Sequence, residues 1–248
     1  MSTDSVAITI GGIRVAIVRK RIKNLHLGVY PPEGRVRVAA PLAVSDEALR
    51  LAVLRKMAWI ERQRAKFRSQ SRQSQREFVT GESHYFQGRR YRLNVVSHAG
   101  PARVARCAGG RIDLLTRAGS GAMQRERVFL GWYRDELKAL CRPMIERWEE
   151  ALGVSVTGWG VKQMKTKWGS CNPEARRIWL NLQLAKKPVH CVEYVVVHEL
   201  AHLIERSHDG RFIAVMDRHL PQWRLHRDEL AAAPLGHEVW SQEPDRPR

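Results

Sequence analysis

The sequence predicts an α+β fold on three observations: strand-like bursts punctuated by Gly and Pro at the start and again over 78–116, a helical block after each, and one apolar helix with histidines at i and i+4. At 248 residues, 44% hydrophobic and 27% charged, the chain has ordinary globular composition, enough for one large or two small domains.

The first forty residues read VAITI, IRVAIV, LHLGVY and RVRVAA, separated by Gly11-Gly12 and by PPEGR at 31–35, a pattern that predicts a small antiparallel meander. Ser45 then caps a long basic helix over about 45–70, with Ala48, Leu49, Ala52, Met57 and Ile60 on its apolar side. From Phe78 to Thr116 the runs YRLNVV, ARVARC and RIDLLT return to strand character between breaks at Gly88, Gly100 and Gly109-Gly110. A second helical block starts near Ala122, and Pro143 is expected to kink or divide it.

Past Gly153, GVKQMKTKWGSC and RIWLNLQL flank the turn-prone NPEAR and predict a hairpin. The next helix opens at Pro188, a favoured first helical position. After Gly210, the positions Phe212, Val215, Met216, His219 and Leu220 recur at helical spacing, so a further amphipathic helix ends before Pro221. No internal repeat is visible. The expected division is a basic β-rich region over 1–118, a catalytic domain over 119–234 and a loose tail over 235–248.

Charge separates the halves. Of 43 Lys+Arg and 25 Asp+Glu, residues 1–118 carry 23 and 8, and residues 119–248 carry 20 and 17. The excess of +18 points to a polyanionic partner, with DNA or another nucleic acid first, and Arg55, Lys56, Arg62 and Lys66 are candidate phosphate contacts. The four cysteines form no CxxC pair, so neither a zinc ribbon nor a dense disulfide framework is suggested, and they read as reduced thiols. Without a signal-like start or a run of about 18 apolar residues, the expectation is a soluble cytoplasmic protein with no membrane partner.

The chemistry concentrates in VVVHELAHLIERSHDGRF at 195–212. His198 and His202, four apart on a helix, aim at one point and form a bidentate metal clamp. Glu199 lies about 100° around the helix, placed to hold water near the metal as general base. A catalytic zinc needs a third protein ligand, and six residues beyond His202 let the chain fold back to present His208, with Asp209 capping the next helix. Unpaired polar groups are costly on so apolar a helix, which weighs against histidines without a role.

Together KTKWGSC at 165–171, WLNLQL at 179–184, HELAHL at 198–203, SHDGRF at 207–212 and LPQW at 220–223 resemble the YgjP-like metallopeptidase domain, a relative of SprT-like zinc proteases among the zincins. The segment from Val18 to Ile60 resembles that family's N-terminal region. The resemblance implies one zinc on His198, His202 and His208, Glu199 as catalytic acid and base, a small sheet packed on the HExxH helix, and an edge strand lining the substrate cleft. Trp168, Gly169, Ser170 and Cys171 are then candidate cleft residues.

Glu205 stands where a metzincin turn needs glycine, which argues against that subclass. Glu229 is the reserve ligand should the third position be acidic. Tyr194, Arg211, Arg218, His219 and His226 are equal candidates for the group facing a developing oxyanion. The leading function is a zinc metallopeptidase acting on a protein or peptide substrate. The alternatives are a metal-dependent nucleotide pyrophosphohydrolase, weakened by the lack of a Gly-rich phosphate cradle, and a nucleic-acid-binding module with a structural metal.

Overall fold

The early alternating bursts do form strands, but not a meander. A computed structural model describes residues 5–30, 34–69, 76–164 and 167–232, which separate into two compact units within 5–69 and 76–232. Lys165, Thr166, the tail 235–248 and the side chain of Lys66 lie outside the described residues. In the first unit, β1 (Ser5–Ile10) and β2 (Ile13–Lys20) pair antiparallel across Gly11-Gly12, where φ is 54° and 76°. With β3 (His26–Tyr30) and β4 (Arg35–Pro41) the order is β1-β2-β4-β3, and β2 runs parallel to β4. Alternation dictates which face of a strand is buried, not which strand lies beside it.

The inward residues Val15, Ile17, Val36 and Val38 meet Leu49, Val53 and Ile60 in one small core. The expected single helix over 45–70 is instead two helices, α1 (Asp46–Arg55) and α2 (Met57–Ser69). At Lys56 the backbone tightens, its N–H bonding to Val53 O at 3.0 Å, three residues back. Ser45 caps α1 as predicted, accepting from the Ala48 N–H at 3.2 Å.

The second unit opens with β5 (Ser83–Phe86), β6 (Arg89–Ser97), β7 (Arg103–Cys107) and β8 (Arg111–Thr116) in the order β5-β6-β8-β7, again with its two central strands parallel. This is the first sheet over again. Adding 76 to a residue number carries Gly11-Gly12 to Gln87-Gly88, Gly34 to Gly110, and the first residue of α1, Asp46, to Ala122. Gln87, Gly88, Gly34 and Gly110 all take positive φ, as Gly11 and Gly12 do. Val36, Val38 and Ala40 are buried in one sheet and Ile112, Leu114 and Thr116 in the other. The chain thus contains a repeated four-strand module that the sequence alone does not reveal.

The repeat also corrects the expected boundary at 118/119. Phe86, Leu93, Ile112 and Leu114 share a core with Phe129, Tyr133 and Leu137 of α3 (Ala122–Leu152), so the second module belongs with the helix after it. Pro143 leaves α3 undivided, and Gly153 ends it at φ 66°.

Next come β9 (Gly158–Lys162), β10 (Gly169–Asn172) and β11 (Arg177–Asn181) in the order β10-β11-β9, with β10 and β11 forming the expected hairpin. Helices α4 (Val189–Ala201), α5 (Gly210–His219) and α6 (Trp223–Ala232) complete the unit. Helix α4 is apolar nearly all round and packs on α3, the hairpin and α6. The architecture is α+β, and among the described residues no helix is long and apolar enough to cross a membrane.

His84 is buried on β5 with its ring 5.3 Å from Phe78 and 4.6 Å from Phe129. Burial lowers its pKa from 6.5 to about 4, with Glu82 opposing the shift. Unfolding therefore takes up a proton between those values, so stability is full above about pH 6.5 and falls as the pH drops toward 4. The expected loss is about 3 kcal/mol across that window. Urea midpoints measured at intervals from pH 7 to pH 4 should show the decline, and His84→Gln should make it shallower by that amount.

Candidate metal centre

Helix α4 delivers His198 and Glu199 on its last turn, and His202 sits at its C-terminal cap. The chain then turns, with the Glu205 N–H on Ala201 O at 2.9 Å, and Glu205 needs no left-handed φ. Asp209 caps α5 as predicted, accepting from Arg211 N–H at 3.0 Å and Phe212 N–H at 3.3 Å. This fold-back places His208 Nε2 3.0 Å from His198 Nε2.

One donor nitrogen of each of His198, His202 and His208 lies within 4.8 Å of the others. Buried Phe212 is their common floor, 4.7–5.0 Å from all three rings. His202 Nδ1 lies 3.1 Å from Glu205 O, which fixes its ring and leaves Nε2 available. Burial, reinforced by its two histidine neighbours, drives His198 down to about 3. Burial likewise lowers His202, against the pull of the Glu205 carbonyl. Neutral imidazoles are the ligand form.

His198 Nδ1 is buried without a hydrogen-bond partner among the described residues, so burial leaves this one nitrogen uncompensated. Three converging imidazoles with no carboxylate oxygen among them fit zinc or a similar transition metal, not calcium or magnesium.

Glu199 is 5% exposed and points at β10. Burial pushes its carboxyl up to about 8, with Lys167 opposing. The space it occupies exists because residue 169 is glycine: a Cβ there would stand 2.5 Å from Glu199 Oε1. Gly169, predicted as a cleft residue, is thus also the seat of the glutamate, a role that only the close approach reveals.

A cleft of about 750 Å³ lies over these groups. Trp168, Gly169, Ser170 and Cys171 line one side, and Tyr194, His198, Glu199, His202 and His208 line the other, so the predicted residues do come together. Burial and the nearby Glu199 push the Cys171 thiol up to about 11, which leaves it protonated and a poor nucleophile. Of the five oxyanion candidates only Tyr194 lines the cleft. His226 packs on His190 at 4.9 Å between centroids, and Arg211, Arg218 and His219 lie on α5 away from the cleft lining. Glu229, the reserve ligand, bonds His190 at 2.6 Å instead. Arg55, Lys56 and Arg62 are on the first unit, and all three are exposed.

Two residues escaped sequence reasoning. Lys167 reaches the cleft beside Glu199. Asn181, buried at the end of β11, holds the cleft wall by donating to Lys167 O at 2.7 Å and Met164 O at 2.9 Å while accepting from Gln183 N–H at 3.1 Å. Asn181→Ala should cost about 2–3 kcal/mol in urea titrations, since these groups lose buried partners. Steady-state kinetics should show KM rising more than kcat falls, because the wall loosens while Glu199 stays.

The family described as YgjP-like, metallopeptidase domain, has a sequence model that matches residues 23–233. Among solved structures, the crystal structure of the metallopeptidase zymogen of Pyrococcus abyssi abylysin is 18% identical. The match covers 36% of this chain and 89% of that one, with a TM-score of 0.34. No curated protein matches the chain.

Proposed function

The chain belongs to the YgjP-like metallopeptidase domain family, and we propose that it is a zinc-dependent peptidase. His198, His202 and His208 would hold the ion, and Glu199 would act as general base and then general acid. The observation that carries this reading is the convergence of three imidazoles beside a buried carboxyl group in one cleft. Zinc held there would polarise a carbonyl and lower the pKa of water toward about 7.

The chain's own residues supply the rest. Glu199 takes the proton from the attacking water and hands it to the leaving amine. Strand β10 lies at the edge of its sheet beside the cleft, so an extended peptide can pair with its backbone. The Tyr194 hydroxyl and the Lys167 ammonium flank the cleft, where charge develops on the carbonyl oxygen. Four free cysteines suit a reducing cytoplasm. On the first unit, exposed Arg55, Lys56 and Arg62 would contact the phosphates of DNA or another polyanion.

The test is to purify the full chain and its His198→Ala, His202→Ala and His208→Ala variants, count zinc, and assay cleavage of an unfolded protein beside hydrolysis of nucleoside triphosphates. The expectation is one histidine-dependent zinc with histidine-dependent peptide cleavage, stimulated by DNA at low salt. Histidine-dependent nucleotide hydrolysis without peptide cleavage would overturn it in favour of the pyrophosphohydrolase.

A further inference from the structure

Helix α4 carries another group of metal-ligating side chains two turns before His198. His190 and Cys191 lie in its first turn, and Glu229 reaches them from α6. One ligand atom of each lies within 4.8 Å of the others, with His190 Nε2 2.6 Å from Glu229 Oε2. We propose that His190, Cys191 and Glu229 form a second transition-metal site that ties α6 to α4.

The donor set points to zinc or a zinc-like ion. A thiolate is a soft ligand that excludes calcium and magnesium, and imidazole and carboxylate complete sets of this kind around zinc. Cys191 is fully buried, and its Sγ makes a long 3.7 Å contact with the His226 carbonyl. Burial, then Glu229, pushes that thiol up to about 11, and a bound cation would reverse this by taking the thiolate and releasing the proton.

His226 packs beside the group. Its ring centroid is 4.9 Å from that of His190, and its buried Nδ1 has no hydrogen-bond partner among the described residues. The site has a structural consequence for the cleft. Helix α6 begins with Trp223, which stacks on Tyr194 at 6.3 Å, so tying α6 to α4 also holds the residue behind the cleft.

This site shares no ligand with the histidine cluster, and eight residues separate His190 from His198, roughly 12 Å along the helix. The two can therefore be tested apart. Full-length protein is loaded with Co(II), the bound ion is counted, and thiolate-to-cobalt charge transfer is read in the near ultraviolet. Wild type should bind two ions and show the band. His198→Ala/His202→Ala should keep one ion and the band, and Cys191→Ser should keep one ion and lose it.

Cys171→Ser, which removes the cleft thiol, should keep the band. Glu229 is half exposed, so Glu229→Gln should fold. Its second ion should bind more weakly by at least the roughly 10-fold that losing even an outer-shell partner costs. No band in the wild type, or a band that survives Cys191→Ser, would overturn the second site, whatever becomes of the peptidase reading.

Discussion

Glu199→Gln should lower kcat for peptide cleavage by about 10²–10⁴-fold, the contribution of a positioned general acid and base, with zinc content unchanged. The side chain is 5% exposed and its burial favours the neutral acid, so an isosteric neutral amide should leave the urea midpoint unchanged or slightly raised. Binding should also survive, because the amide fills the same space against Gly169, and KM should move little. Undiminished kcat in a zinc-loaded Glu199→Gln protein would remove Glu199 from the chemistry.

The site was legible where its geometry is local. HELAH on one helix places His198, Glu199 and His202 through the 3.6-residue period alone, and Asp209 announces the helix that carries Phe212 under the three rings. Long-range geometry was not legible. Glu229 and His226 look available as partners of the cleft, yet α6 presents them to the first turn of α4. Asn181 reads as one polar residue in WLNLQL, and its bonds to Lys167 and Met164 exist only once the hairpin has closed.

The fold divides the same way. Strands were legible by alternation, because each places apolar side chains on one face, but strand order was not, because any neighbour with a buried face satisfies the same pattern. The duplicated module escaped for a related reason. Val36-Arg37-Val38 and Ile112-Asp113-Leu114 share a burial pattern but not a residue, and the turn at Gly11-Gly12 reappears as Gln87-Gly88. Backbone conformation is shared where residue identity is not, down to positive φ at both turn positions of each hairpin.

Gly169→Ala should lower kcat by about 10²-fold, the scale of an ångström misplacement at a reacting centre, while zinc stays bound. The added Cβ would meet Glu199 Oε1 at 2.5 Å, Cγ at 2.7 Å and Cδ at 2.8 Å, and the glutamate is too enclosed to yield without moving its carboxylate. A merely destabilised sheet would lower activity differently, and Gly160→Ala is the control: its Cβ meets the Trp179 ring at 2.5 Å, in the same sheet but away from Glu199. That variant should lose stability and keep the kcat of its folded fraction. The double variant Gly169→Ala/Glu199→Gln decides the mechanism, since a glycine acting through the glutamate adds nothing once the carboxylate is gone. Equal kcat in Glu199→Gln and the double variant is the expected result, and two effects that multiply would mean that Gly169 serves the substrate strand and not the general base.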